Sequence, residues 1–387
     1  MMSNRADGRR PEIKPLTSLR FVFAILVFLC HYSTDSTGEK VIFLEGIIGV
    51  EFFFMLSGFI LSYTYGNRIA EKKTSLGEFF LARFARIYPL HLATFLLSLA
   101  LLIRNSLAAG DAVALSWLRM FFNITLLQSF IPDSSYNLSF NIVSWSISDE
   151  MFFYLMFPLL LRVFNGRGIK IKAAAGLVAL AAYFTAIFLL PGQYVLTVFY
   201  INPLVRILEF IWGMLMFRIW RRITSGAENR ESAVHRKFLP SVTEIAPVCL
   251  LVIMVMAADR ISPVYRIGSY YWIPMALLVL GFAQPFGEGI ISKLLSLKPF
   301  VFLGKISFGF YMLHSIMLSP VPAAVKRVFH LDLESVHPAA RFTIIFAAVL
   351  AASIASFYCF ELPAGNFIKN LSRRWKKPAG TSPRKAA

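Results

Sequence analysis

Cysteine is scarce in this chain: Cys30, Cys249 and Cys359 are the whole complement of 387 residues, and all three lie in apolar runs. A disulfide framework is therefore excluded as the basis of the fold. No His/Cys/Asp/Glu spacing of the metal-ligand kind occurs, so no metal is expected, and no glycine-rich phosphate loop is present. Charge is sparse at 16%, and acidic residues are its smaller part, with 21 Asp and Glu against 39 Lys and Arg. The first apolar stretch lacks a small-residue cleavage site before the next one begins, so it is expected to persist as a span. No internal repeat is visible, which weakens a secondary-transporter reading.

Apolar sequence is what abounds. Hydrophobic residues make up 57% of the chain and mean hydropathy is +0.64. The pattern predicts an all-α polytopic membrane bundle of about ten transmembrane helices, near 16–33, 41–65, 84–103, 146–164, 173–190, 202–219, 242–258, 271–285, 300–319 and 342–360. An eleventh run, Trp117 to Ile131, contains Arg119, Asn123 and Gln128 and reads as an interfacial or re-entrant helix.

The net charge of +18 would suit a nucleic-acid partner, but its distribution assigns it to topology. With ten crossings and both termini cytoplasmic, thirty of the 39 basic residues fall on the cytoplasmic side, clustered around Arg5–Arg20, Arg68–Arg86, Arg162–Lys172, Arg218–Lys237, Lys293–Lys305 and from Lys369 onward. Inverting the chain, or adding an eleventh crossing, breaks the positive-inside bias. Anionic lipid head groups are then the expected partner of this charge, and no nucleic acid is expected. The chain divides into a basic segment 1–15, a membrane domain 16–365 and a basic flexible tail 366–387, all basic ends being cytoplasmic.

Ionisable residues inside spanning helices are candidates for function. They fall in two layers. Arg20, Arg83, Arg86, Lys305 and Glu361 lie toward the cytoplasmic face, whereas His31, Asp149, Glu150, Glu209 and His314 lie further out, with Glu51 and His91 between. Arg83 and Arg86 share a helix face, and arginine forks match phosphate oxygens bidentately. Arg20 and His31 are eleven positions apart in one apolar helix, about 16 Å at the helical rise. A neutral imidazole is the natural proton acceptor for attack by a hydroxyl. Ser144-Trp145-Ser146-Ile147-Ser148-Asp149-Glu150 reads either as helix capping or as a catalytic stretch whose carboxylate orients that ring. Glu51 either pairs with a buried Arg or His or touches substrate.

These stretches together resemble the membrane-bound acyltransferase family 3, whose members O-acylate sugars and other hydroxylated molecules. The resemblance rests on Arg20-x10-His31, on Gly49-Val-Glu-Phe-Phe-Phe-Met-Leu-Ser57-Gly58 and on Arg83-Phe-Ala-Arg86-Ile-Tyr-Pro89. It extends to Ser144–Glu150, to Leu303-Gly-Lys-Ile-Ser307 with Tyr311-Met-Leu-His314, and to Phe357-Tyr-Cys-Phe-Glu361-Leu-Pro363. These run in the family's order from residue 16 to about 365. The acidic motif reads Asp149-Glu150 where the family has Ser-Val-Glu-Glu, and Tyr-Met-Leu-His314 departs from Tyr-Leu-Trp-His.

The resemblance implies a bacterial inner-membrane enzyme that binds no permanent cofactor and takes an acyl group, acetyl by default, from cytoplasmic acyl-CoA. It implies donor binding by Arg20, Arg83, Arg86 and Lys305 and catalysis by His31 with Glu150 or Asp149. Glu51, Ser146, Ser148, Trp145, His314 and Tyr311 are then expected around the substrate. The acceptor is expected to be a carbohydrate hydroxyl of a cell-surface polysaccharide, lipopolysaccharide or lipid-linked precursor. A non-sugar small molecule, a proton-coupled transporter and a non-catalytic scaffold are the alternatives. No appended soluble hydrolase-like domain is expected.

Overall fold

A long apolar chain in lipid must satisfy its backbone polar groups internally, which favours helices. The computed structural model describes residues 10–36, 46–109, 116–166, 168–227, 238–284 and 286–376, and contains no strand among them. In chain order the helices are α1 (Lys14–Ser36), α2 (Ile47–Ala70), α3 (Leu76–Ala109), α4 (Trp117–Ile124), α5 (Ser134–Asn137), α6 (Trp145–Asn165), α7 (Ile169–Leu189) and α8 (Pro203–Ala227). They continue as α9 (Leu239–Met256), α10 (Pro263–Gly268), α11 (Trp272–Phe282), α12 (Ile290–Leu295), α13 (Lys298–Met317), α14 (Pro320–Phe329), α15 (Pro338–Ser356) and α16 (Leu362–Lys376).

Among the described residues six helices are long and apolar enough to cross a membrane: α1, α2, α3, α9, α13, and α15 continuing into α16. A seventh arises if Gly192–Ile201 and Pro203–Ser225, bent by 45°, form one broken span. Each of the ten expected segments holds a helix, but three fall outside this count. The first, α6, carries Asp149, Glu150 and Arg162, while α7 has a shorter apolar stretch, Gly176–Leu189, and α11 has only 11 residues. The run after Trp117 forms a helix of 8 residues and a short turn at Gln128–Phe130, too short to cross.

Two helix ends differ from expectation for local reasons. Ser75 and Glu78 form a reciprocal capping box, the Ser75 hydroxyl accepting from the Glu78 amide at 3.2 Å and Glu78 accepting from the Ser75 amide at 2.9 Å. Helix α3 therefore starts at Leu76 rather than near 84, and its 34 residues carry Arg83 and Arg86 inside it. At the other end of the chain, a π-helical turn at Phe357–Glu361 joins α15 to α16, which continues through the start of the expected flexible tail. Residues beyond 376 and before 10 lie outside the described residues.

Contacts fix the relative directions. Helices α1 and α2 are antiparallel, with Phe23 stacked on Phe52 and the Tyr63 hydroxyl donating to the carbonyl of Pro11. Helices α1 and α13 run parallel: Thr17 lies against Gly304, Phe21 against Phe310 and His31 against His314. Helix α2 is parallel to α8, through Gly58 against Phe210 and Tyr63 against Trp220, and to α6, through Ser57 against Glu150 and Gly66 against Leu161. Fully buried Phe52, Phe59, Phe153, Phe157 and Phe210 fill the centre.

The α2–α8 crossing is set by two glycines. A Cβ at Gly58 would collide with the Phe210 carbonyl, and one at Gly213 with that of Met55, so neither neighbour can yield without moving backbone. Gly58→Val is expected to lose at least about 3 kcal/mol, the upper part of the overpacking range, in thermal unfolding of the detergent-purified protein. Gly77→Ala, where an added Cβ meets nothing within 4 Å, is expected to melt like the wild type.

Candidate active site

A cavity of about 560 Å³ opens between α1, α2, α3, α6 and α13. Five basic side chains line it, Arg10, Arg20, Arg83, Arg86 and Lys305, against two acidic ones, Glu12 and Glu150. Such an excess in a low-dielectric wall gives the cavity a positive potential. The four basic residues singled out in the sequence thus meet on one surface, and Arg10 joins them.

The cations are held rather than loose. Arg83 donates to the Tyr65 hydroxyl at 3.1 Å, with its guanidinium carbon 5.0 Å from the Tyr65 ring centre and 5.8 Å from that of Tyr154. Arg10 lies over Tyr63 at 4.9 Å and over Phe217 at 5.4 Å, at the mouth. Lys305 reaches Glu12 at 3.9 Å. Arg20 and Arg86 are electrostatic neighbours of each other, and Glu361, carried on the π-helical turn, faces both. Turns of this kind recur at functional sites because they displace one side chain from the helical register.

Going inward, the lining residues end at Arg20 on α1, Val50 on α2 and Tyr311 on α13. The inner wall includes Phe53, Ser146, Ile147 and Tyr311, with Ser146 and the Tyr311 hydroxyl 2.9 Å apart. Immediately behind, the His314 ring centre is 5.8 Å from that of Tyr311, and His314 Nε2 is 2.8 Å from His31 Nδ1. On α13 the cavity therefore stops about one helical turn short of His314, whereas on α1 its lining ends eleven residues before His31.

The serine-rich stretch divides by helical angle, since successive side chains point about 100° apart. Glu150 faces the cavity, accepting hydrogen bonds from the Tyr154 and Ser57 hydroxyls. Asp149 turns away and is fully buried near Arg206. Ser148 donates to the Leu126 carbonyl at 2.6 Å and accepts from Ser129, which makes it a tie between segments. Trp145 packs on Phe54 and Tyr200. Of the residues expected from the sequence at the acid–base and substrate positions, Ser146, Glu150 and Tyr311 thus line the cavity, whereas Asp149, Ser148, Trp145, Glu51, His31 and His314 do not. The expected contact between Glu150 and His31 is replaced by one between two histidines.

Sequence reasoning missed Arg206, the largest fully buried side chain. It is ion-paired with Glu209, which also accepts from the Trp272 indole at 3.2 Å, and it interacts with Glu51 and Asp149. Glu51 therefore belongs to a buried charge cluster rather than to the cavity. The i,i+3 pair Arg206/Glu209 in the otherwise apolar run 203–217 was the available signal. His91 is structural as well, its Nε2 donating to the Asn123 carbonyl at 2.9 Å.

Comparison with known proteins identifies the family of the chain. The family model described as "Acyltransferase domain" matches residues 14–358. The chain is 31% identical to acyltransferase MdmB of Streptomyces mycarofaciens over 332 residues, 79% of either chain. It is 25% identical to peptidoglycan O-acetyltransferase OatA of Listeria monocytogenes over 326 residues, and 27% identical to putative peptidoglycan O-acetyltransferase YrhL of Bacillus subtilis over 316. The match covers 79% and 75% of this chain but only 48% and 47% of those two proteins, so the chain spans about half their length. No solved structure matches it. With a family match running from the first helix to the π-helical turn, the chain belongs to acyltransferase family 3 and is a multi-pass membrane acyltransferase.

Proposed function

We propose that this protein transfers a small acyl group, acetyl in the simplest case, from cytoplasmic acyl-CoA to a carbohydrate hydroxyl in the bacterial inner membrane. The observation that carries this reading is the cavity in which Arg20, Arg83, Arg86 and Lys305 converge below the histidine pair. Coenzyme A brings phosphates that guanidinium forks grip well, and a long neutral arm that reaches inward from them. Arg20 and His31 are eleven residues apart on α1, about 16 Å by helical rise, which is on the order of an extended pantetheine arm. The thioester then lies beyond Tyr311, within reach of His31.

The chemistry is acyl transfer with one proton shuttled. His31 takes the proton of the acceptor hydroxyl while its oxygen attacks the thioester carbonyl carbon. As the ester C–O bond forms, the C–S bond breaks, and the imidazolium returns its proton to the departing thiolate. Two of the relatives are named peptidoglycan O-acetyltransferases, which favours a cell-surface carbohydrate as acceptor. The name of the relative matched over 79% of either chain gives no acceptor, so a hydroxylated small molecule is the second acceptor class.

Ten crossings with both termini cytoplasmic fit the helix directions. Parallel α1 and α13 require an odd number of crossings between them. The helices of unquestioned length, with the bent pair counted once, give four, namely α2, α3, α8 and α9; adding α6, α7 and α11 gives seven. The same arrangement keeps α2, α6 and α8 parallel, as their contacts require.

Radiolabelled acetyl-CoA supplied to inverted membrane vesicles tests the proposal. Label is expected in a surface-glycan or small-hydroxyl product, with free CoA released in equal amount. Flux of an intact solute without CoA release would establish the transporter instead.

A further inference from the structure

His31 and His314 come from helices that touch along their whole length. Gly304 allows α13 to approach the Thr17 carbonyl of α1, and Ser18 donates to the Leu295 carbonyl at 2.6 Å, so the register of the pair is fixed from below. The His314 ring is completely buried, edge-on to Phe28 at 6.1 Å, stacked with Phe310 at 6.4 Å and edge-on to Tyr311. Its Nε2 points at His31 Nδ1 at 2.8 Å. Its Nδ1 is buried and makes no well-formed hydrogen bond among the described residues.

For His31 Nε2 to take the acceptor's proton, His31 Nδ1 must carry its own ring's hydrogen, which makes His314 Nε2 the acceptor in this contact and leaves the neutral His314 ring protonated on Nδ1. Its Nε2 is then a bare lone pair, and the proton in the contact with His31 belongs to His31 Nδ1. Which nitrogen of an imidazole is free is decided by the bond that the other nitrogen makes. Among the described residues no carboxylate takes this place: Glu150 is bonded to Tyr154 and Ser57 on the cavity side, and Asp149 lies near Arg206.

We propose that His314 is the positioning residue of the transfer site, its Nε2 accepting the Nδ1–H of His31 so that His31 Nε2 carries the lone pair that takes the acceptor's proton. This rests on the acyl-transfer reading above and adds a role that the sequence did not suggest for His314. The ring does for His31 what a carboxylate does in a hydrolase triad, but as a neutral partner, so no net negative charge is buried beside the base.

The test uses the full-length protein in inverted vesicles and in detergent, with His314→Leu, His314→Gln, His31→Ala and the double variant His31→Ala/His314→Leu. Leucine removes the acceptor and is expected to lower kcat about 100-fold or more, with KM for acetyl-CoA held to about twofold. Glutamine keeps an acceptor oxygen and is expected to recover kcat to within about tenfold of wild type. The double variant is expected to be no slower than His31→Ala, because His314 acts only through His31.

Wild-type kcat in His314→Leu, or glutamine no better than leucine in proteins that melt together with wild type, overturns the role of His314 while the acyl-transfer reading stands. Full activity in His31→Ala overturns the reading itself. A second measurement does not depend on turnover. In protein carrying 15N-labelled histidine, both rings are expected as the Nδ1–H tautomer, and an Nε2–H signal from either His31 or His314 overturns the proposal.

Discussion

Replacing His31 by alanine is expected to abolish acyl transfer, with a loss of at least about 1,000-fold, within the 10²–10⁴ range that a positioned acid–base group contributes. The donor should still bind, because none of the cavity lining is lost: His31 lies beyond the innermost lining residues. Equilibrium binding of acetyl-CoA to the purified variant, set against its turnover in vesicles, checks both halves of the expectation. Retained turnover would move the proton acceptor elsewhere, and lost binding would mean that the donor contacts the imidazole directly. Slow background release of CoA to water is expected to survive, since the cationic cavity still holds the thioester.

The second large effect is expected at the other end of the cavity. Arg83→Gln with Arg86→Gln removes two guanidinium forks from one face of α3. Each charge-assisted hydrogen bond is worth about 1.5–3 kcal/mol, so KM for acetyl-CoA is expected to rise about 100-fold or more in the double variant. The change in kcat should be much smaller, because neither residue approaches the histidine pair. Acetyl-pantetheine, which carries the thioester without the nucleotide phosphates, is the informative control. Wild type and double variant are expected to use it equally, and a preserved difference would mean that the arginines shape the cavity instead of gripping phosphate. Rising salt should raise KM for acetyl-CoA in the wild type by weakening exposed contacts at the mouth, and should do so less in the double variant.

The helices were legible because each apolar run is bounded by basic or turn-forming residues and lipid leaves the backbone few other choices. What periodicity could not show was where a helix carries on through polar sequence. The Ser75/Glu78 box lengthens α3, and the π-helical turn before Leu362 prolongs the last span into what reads as a tail. The cationic cavity was legible for a related reason. Basic residues at adjoining ends of neighbouring helices have one surface on which to meet, and Arg20, Arg83, Arg86 and Lys305 meet there.

The pairing of buried groups was not legible, because partners far apart in sequence leave no local trace. His31 and His314 are separated by 283 positions, and Glu51 reaches the Arg206 cluster from a different helix. Asp149 and Glu150 illustrate a finer limit. Composition treats them as equivalent acids at a helix entry, whereas one residue of rotation sends Glu150 to the cavity and Asp149 toward buried Arg206. Arg206 itself escaped notice because an arginine in an apolar run reads as a snorkelling side chain until its depth is known.

The parallel seating of α13 against α1 has a consequence for biogenesis. More than three hundred residues must leave the ribosome before the partner of His31 exists, and the glycine that admits it, Gly304, comes only ten positions earlier. A nascent or prematurely terminated chain can enter the lipid and display its arginines, yet its imidazole has nothing to fix the proton. On the role proposed for His314, reactivity toward a thioester would be withheld until the final portion of the bundle has docked, which would protect the cell's acyl donors from half-built copies.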